Sequence, residues 1–252
     1  MKKLLIALMT TAALVGCTPV PQTSPDDVPS FFDEIVEATQ TTEEEAPVET
    51  EEEAPAETEA VDSEAGALLD SLEVRGSRHE LDEDSYERPD TWNSASRYGV
   101  DAPMGGCTIR EYILYRDGEN VELDDDCYPE QGSWYDDYTG ITYGVGGAEG
   151  QPVQVRDLHI EHIVPLKDAY LSGAVNWTDE TFSTFAHDVN NLIVSEGEGN
   201  TSKGDQSPDS WMPENEAYHC EYVTSWVMTK AEWELSVTQP EKDRIAEILS
   251  TC

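Results

Sequence analysis

Asp157-Leu158-His159-Ile160-Glu161-His162-Ile163-Val164-Pro165-Leu166 is the stretch on which the fold turns. Polar and apolar side chains alternate along it, the period of a short strand, and Pro165 ends the strand because proline has no N–H to give a ladder. Successive strand side chains point to opposite faces. The adjacent Glu161 carboxylate and His162 imidazole therefore face different ways, so that one can bind a metal ion while the other faces a substrate. Further on, Asn190-Asn191-Leu192-Ile193-Val194 reads as a second short apolar strand. Gly199-Asn200-Thr201-Ser202-Lys203-Gly204-Asp205 then reads as a loop rich in hydrogen-bonding groups. Glutamate, asparagine and water are oxygen donors, which suit Mg²⁺ or Mn²⁺ better than zinc.

Working outward, residues 66–252 have the composition of one domain with one core, and the tryptophans that recur there are read as core residues. Leu68, Leu69 and Leu72 predict a short opening helix. Residues 109–115 carry β-favouring side chains, but pattern alone does not separate helix from strand there. Residues 134–140 read as a turn leading into a strand at 141–145. Tyr222, Trp226, Lys230 and Trp233 fall at helical spacing, residues 236–240 break the chain, and 241–249 form a last helix. The expected class is α+β.

The N-terminal third addresses the compartment. Met1-Lys2-Lys3 is a basic start, and the apolar run at 4–15 is too short to span a bilayer, so residues 1–17 read as a signal peptide. Leu14-Val15-Gly16-Cys17 matches the lipobox of bacterial lipoproteins, which implies a lipid anchor at Cys17 and a protein held outside the cytoplasmic membrane. The competing reading is an ordinary secretory signal. Residues 18–65 are rich in Pro, Thr, Ala and Glu and contain a tandem octapeptide at 43–50 and 51–58. Like charges repel and prolines oppose helix, so this segment is expected to be a disordered, extended acidic spacer. Beyond Cys17 stand Cys107, Cys127, Cys220 and Cys252, an even number in an oxidising compartment. Sequence proximity favours Cys107–Cys127 with Cys220–Cys252 among the three pairings. A zinc site competes poorly, since no Cys-x-x-Cys pair is present.

Glu161-His162-Ile163-Val164-Pro165, Asn191 and Asn200 together resemble the signature of the HNH, or ββα-metal, nucleases. The gap of nine residues from Asn191 to Asn200 also occurs in HNH domains of CRISPR effector nucleases. Further features resemble secreted HNH proteins of actinobacterial type, related to the C-terminal nuclease domain of GmrSD restriction enzymes. They are Cys107-x-x-Arg110, Gly132-x-Trp134-x-x-Tyr138-x-Gly140, Asn200-x-Ser202-Lys203-Gly204-Asp205, Trp211-x-Pro213 and a terminal cysteine. The resemblance implies a ββα-metal core with flanking helices, and an endonuclease that hydrolyses phosphodiester bonds with one Mg²⁺ or Mn²⁺ ion. By the same resemblance Glu161 and Asn200 are metal ligands, with His159 as a further ligand or a structural histidine. His162 is the general base, a role that a near-neutral pKa permits. Asn191 fixes the loop that holds the base, and Lys203 adds charge at the transition state or positions a phosphate. Arg110 and Arg156 are weaker phosphate candidates, His187 is read as structural, and His79 and His219 as surface residues.

Charge is the objection. Residues 66–252 carry 38 Asp+Glu against 12 Lys+Arg, and a nucleic-acid-binding surface is usually basic. A saline habitat that screens repulsion, or a locally basic groove, would reconcile the two. The other classes that fit are a non-catalytic cell-surface module on an HNH scaffold and an extracellular phosphodiesterase. The substrate expected is nucleic acid, DNA ahead of RNA, and nothing in the sequence points to a protein partner.

Overall fold

The computed structural model describes residues 56–76, 86–89 and 92–252. The signal peptide read from the sequence, Cys17, His79 and residues 18–55 of the spacer lie outside them. Helix α1 (Ala56–Ser71) starts well before the three leucines that announce it. Alanine and glutamate are strong helix formers, and a proline just ahead of the first turn costs nothing there. The spacer as read to residue 65 therefore gives up its last ten residues to this helix. Leu69 and Leu72 are buried, and α1 packs on the C-terminal helices.

After the short strand β1 (Val74–Arg75), residues 109–115 prove helical, as α2 (Ile109–Asp117). The deciding signal is local: Thr108 and Glu111 form a capping box that satisfies the first free N–H groups. The chain then turns at Gly118, where an added Cβ would lie 2.6 Å from the Trp134 indole nitrogen. That indole is buried and donates to the Leu114 carbonyl at 2.8 Å. Strands β2 (Gly118–Leu123), β3 (Pro129–Asp136), β4 (Ile141–Val145) and β5 (Gln151–Pro152) form one sheet in sequence order. Residues 134–136, expected in a turn, belong to β3; only 137–140 turn, and β4 follows as expected.

Strand β6 (Leu158–His162) is followed by α3 (Leu166–Leu171) and α4 (Asp179–Ala186) before its partner β7 (Leu192–Glu196) arrives. The two strands pair antiparallel, with Glu161 opposite Ile193 and His162 opposite Leu192. Helix α5 (Gly197–Lys203) follows β7 directly, so the stretch expected to be a loop is mostly helix. Leu158, Ile160, Leu192 and Val194 face a core shared with Ile109, Ile113, Leu114 and Trp134, which puts α2 on one face of the β6–β7 pair. Helix α5 lies on the other.

A second core is built by α6 (His219–Glu232), β8 (Val237–Thr238) and α7 (Gln239–Leu249), together with α1 and α3. Pro240 does not break the last helix but sits in its first turn, where Thr238 and Glu241 form another capping box. Within this core Lys230 is fully buried, 2.8 Å from Asp168 and 2.6 Å from Glu241, and the Trp226 indole donates to Glu241 at 2.7 Å. The cysteines pair as Cys107–Cys127 and Cys220–Cys252, which leaves none of them to ligate zinc. The second bond ties the first turn of α6 to the chain end beyond α7.

Candidate functional site

His162 ends β6 with 5% of its surface exposed. Its Nε2 lies 3.0 Å from the carbonyl oxygen of Ala186, the last residue of α4. A carbonyl only accepts, so Nε2 carries the proton and Nδ1 keeps its lone pair. The Trp92 ring stacks on the imidazole with centroids 5.8 Å apart and planes 11° apart. Burial pushes the His162 pKa down to about 3; the Ala186 hydrogen bond opposes this, and Arg88 and Lys203 add to it. The near-neutral value expected from the residue type is thus corrected downward: at neutral pH the ring is uncharged.

The loop after His162 is pinned by Asn191. Its Oδ1 accepts from Val164 N at 2.8 Å, its Nδ2 donates to Val164 O at 3.0 Å, and its own carbonyl accepts from Ile163 N at 2.9 Å. Asn191 is fully buried, so each of these bonds is made away from water.

Glu161 faces the other way, toward α5, and is 6% exposed. The fully buried Lys203 ammonium donates to Glu161 Oε1 and, at 2.9 Å, to the His162 carbonyl. Burial raises the Glu161 pKa and lowers that of Lys203, outweighing their attraction on both sides. The hydroxyls of Tyr138 and Tyr222, buried without a hydrogen-bond partner among the described residues, also feel the Glu161 charge.

Helix α5 runs beside β6 from one end to the other. A Cβ added to Gly197 would lie 3.1 Å from the exposed His159 ring, while Lys203 reaches Glu161 at the far end. With roughly 100° of turn per residue, Asn200 falls between Gly197 and Lys203 on the strand-facing side. It is half-buried, its backbone carbonyl accepts from Gly204 N at 3.0 Å, and its side chain makes no hydrogen bond among the described residues. His159, Glu161 and Asn200 thus belong to one strand–helix interface. No three of His, Cys, Asp and Glu gather into a metal cage among the described residues. The oxygen donors on this interface, the Glu161 carboxylate and the Asn200 amide, are of the kind that a hard cation such as Mg²⁺ takes together with water.

His162 opens into a cleft of about 110 Å³ lined by Arg88, Pro89, Trp92, Leu166, Ala186 and His187. His187 is fixed within its wall. Its Nε2 accepts from Asn93 N at 3.1 Å, its Nδ1 donates to Ser183 O at 2.7 Å, and Tyr98 stacks on it at 4.3 Å. A larger groove of about 380 Å³ beside α5 holds Glu196, Glu198 and Glu214, whose charges repel phosphate.

The weaker phosphate candidates lie elsewhere. Arg110 spends its guanidinium on the carbonyls of Val155 and Leu158, at 3.0 and 3.1 Å, and so anchors the start of β6. Arg156 is exposed and pairs with Asp157 at 3.6 Å. His219, expected on the surface, is half-buried and donates to the Pro213 carbonyl at 2.8 Å. Arg88 and Trp92 were not read as site residues from the sequence. The available signal was Arg88's place as the one base within residues 80–91, a stretch otherwise acidic.

Residues 85–248 match a family described as GmrSD restriction endonucleases, C-terminal domain. The chain is 39% identical over 150 residues to a protein of Arthroderma benhamiae described as an uncharacterized secreted protein. That stretch covers 59% of this chain and 69% of the relative. No solved structure matches.

Proposed function

We propose that this chain, which belongs to the family of GmrSD restriction endonuclease C-terminal domains, hydrolyses phosphodiester bonds in nucleic acid with His162 as general base. The observation that carries the reading is the hydrogen bond from His162 Nε2–H to the Ala186 carbonyl, which leaves Nδ1 free to take a proton from water. Supporting it is the element order: an antiparallel strand pair with a helix directly after its second strand, Glu161 and His162 lying on the first strand and Asn200 on the helix.

Glu161 and Asn200 would hold one Mg²⁺ or Mn²⁺ ion, with His159 beside them. When bound, the ion would polarise the scissile phosphate and stabilise the leaving oxygen. Lys203 opposes the burial that would otherwise protonate Glu161, and it steadies the His162 carbonyl. It acts through Glu161 rather than by touching phosphate, which revises the role expected for it. Asn191 holds the loop that carries His162, so that the base keeps its orientation. Trp92 shields one face of the imidazole from water.

The secreted relative fits an exported protein. With the lipobox, we place the chain outside the cytoplasmic membrane, anchored at Cys17, with residues 18–65 as a spacer that passes into α1 and 66–252 as the nuclease domain. The acidic balance of residues 66–252 favours a second reading, a surface-binding module without catalysis. Incubation of the purified protein with supercoiled plasmid, with and without Mg²⁺ or Mn²⁺, separates the two. Metal-dependent nicking supports the nuclease; intact plasmid under every condition refutes it.

A further inference from the structure

We infer that Arg88 and the cleft it shares with His162 form a binding site for a single backbone phosphodiester of the nucleic acid. The inference deepens the nuclease reading and rests on it. Arg88 is exposed, and it lines the cleft together with His162. It is the one described lysine or arginine with no hydrogen bond, ion pair or ring contact among the described residues. The others are held by carboxylates, carbonyls, a hydroxyl or an aromatic face. Glu161, whose charge reaches Arg88, is already engaged by Lys203.

In a domain with 38 acidic and 12 basic residues, a guanidinium that no described side chain holds, lining one cleft with an imidazole, is placed to take an anion. The size of the cleft says which anion. At about 110 Å³ it falls well short of the roughly 300–1,000 Å³ of a pocket that encloses a drug-sized molecule. It admits a phosphate group and leaves sugar and base outside. Contacts of that kind set the register of a nucleic acid without reading its sequence. The guanidinium offers two parallel N–H donors to two phosphate oxygens, which would hold the phosphate in the cleft that His162 lines.

The test is fluorescence anisotropy with a labelled single-stranded oligodeoxynucleotide in EDTA, so that binding is read without hydrolysis. The full chain is compared with Arg88→Gln and Arg88→Lys over a range of NaCl. Arg88→Gln should weaken binding by about tenfold or more, the worth of a charged hydrogen bond. It should also reduce the slope of log K against log salt by about 0.7, one phosphate contact fewer on a single strand. Arg88→Lys should keep the slope, because it keeps the charge, and it shows that the position tolerates change. If the wild type cleaves plasmid but Arg88→Gln binds with unchanged affinity and slope, the phosphate site is wrong and the nuclease stands. If the wild type neither binds nor cleaves, both are wrong.

Discussion

Replacing Lys203 with methionine should be among the most damaging single changes in this chain, and its cost can be worked from the burial around it. The side chain is fully buried, its carboxylate partner is 7% exposed, and the ammonium also satisfies the His162 carbonyl. Methionine fills much the same volume, so little packing is lost and the penalty is chiefly electrostatic. Removing one partner of a buried ion pair costs roughly 3–5 kcal/mol, because the other charge stays behind. The His162 carbonyl left without its donor adds roughly 1 kcal/mol. Glu161 can relieve part of this by taking up a proton, as burial already pushes its pKa upward. The penalty should therefore be largest near neutral pH and shrink in acid. Urea denaturation of wild type, Lys203→Met, Glu161→Gln and the double variant at two pH values forms the required cycle. The double variant should be clearly more stable than the sum of the single losses predicts. A Lys203→Met cost below about 1 kcal/mol, or simple additivity, would mean that the pair is not the buried unit described here.

Asn191→Ala leaves the buried N–H and carbonyl of Val164 unpaired, and at roughly 1–3 kcal/mol for each lost partner it should lower the urea midpoint markedly. Activity should fall further than stability explains, since the His162 loop loses its anchor. Because burial holds the His162 pKa near 3, below an unfolded value of about 6.5, the ring stays neutral in mild acid. A pH–rate profile should thus show no fall through 6.5, and a clear inflection there would place the ring in solvent. The same depression makes the unfolded chain bind a proton that the folded chain refuses, so the stability due to neutral His162 is full above about 6.5 and drains away as pH falls toward 3. Cleavage measured from low to molar salt at fixed free Mg²⁺ should first rise as self-repulsion is screened, then fall as the phosphate contacts weaken; a steep fall throughout would show that the local cleft alone governs binding.

What the sequence discloses follows from how local the cause is. Strand β6 is legible because alternation and a terminal proline lie within a few residues, and α6 because its apolar spacing persists for several turns. The disulfide pairs are legible because each closes the nearer loop. Helix α5 was missed because Gly197, Gly199, Thr201 and Ser202 are weak helix formers. What holds it is tertiary: Glu196 caps its first turn, and Lys203 ties its end to a strand 42 positions earlier. The capping box of α2 was present in Thr108 and Glu111, but β-favouring residues around it left the choice open. In the site, Glu161, His162 and Asn191 were marked by their motif. The buried ion pair of Lys203 and the cleft position of Arg88 depend on chain segments brought together only by folding.

If His162 is the base of a metal-assisted hydrolysis and Glu161 a ligand of the metal, cleavage of plasmid by the alanine variants at rising Mn²⁺ separates the two roles most directly. Isothermal titration of Mn²⁺ on the same preparations shows which variant still binds the ion. His162→Ala should bind Mn²⁺ like the wild type and yet lose activity by about 10²–10⁴-fold, the usual worth of a general base, with no recovery at high metal. Glu161→Ala should bind the ion weakly and regain part of its rate as Mn²⁺ rises, and Asn200→Ala should follow it. Near-wild-type cleavage by His162→Ala, in a preparation free of contaminating nuclease, would contradict the account at its centre.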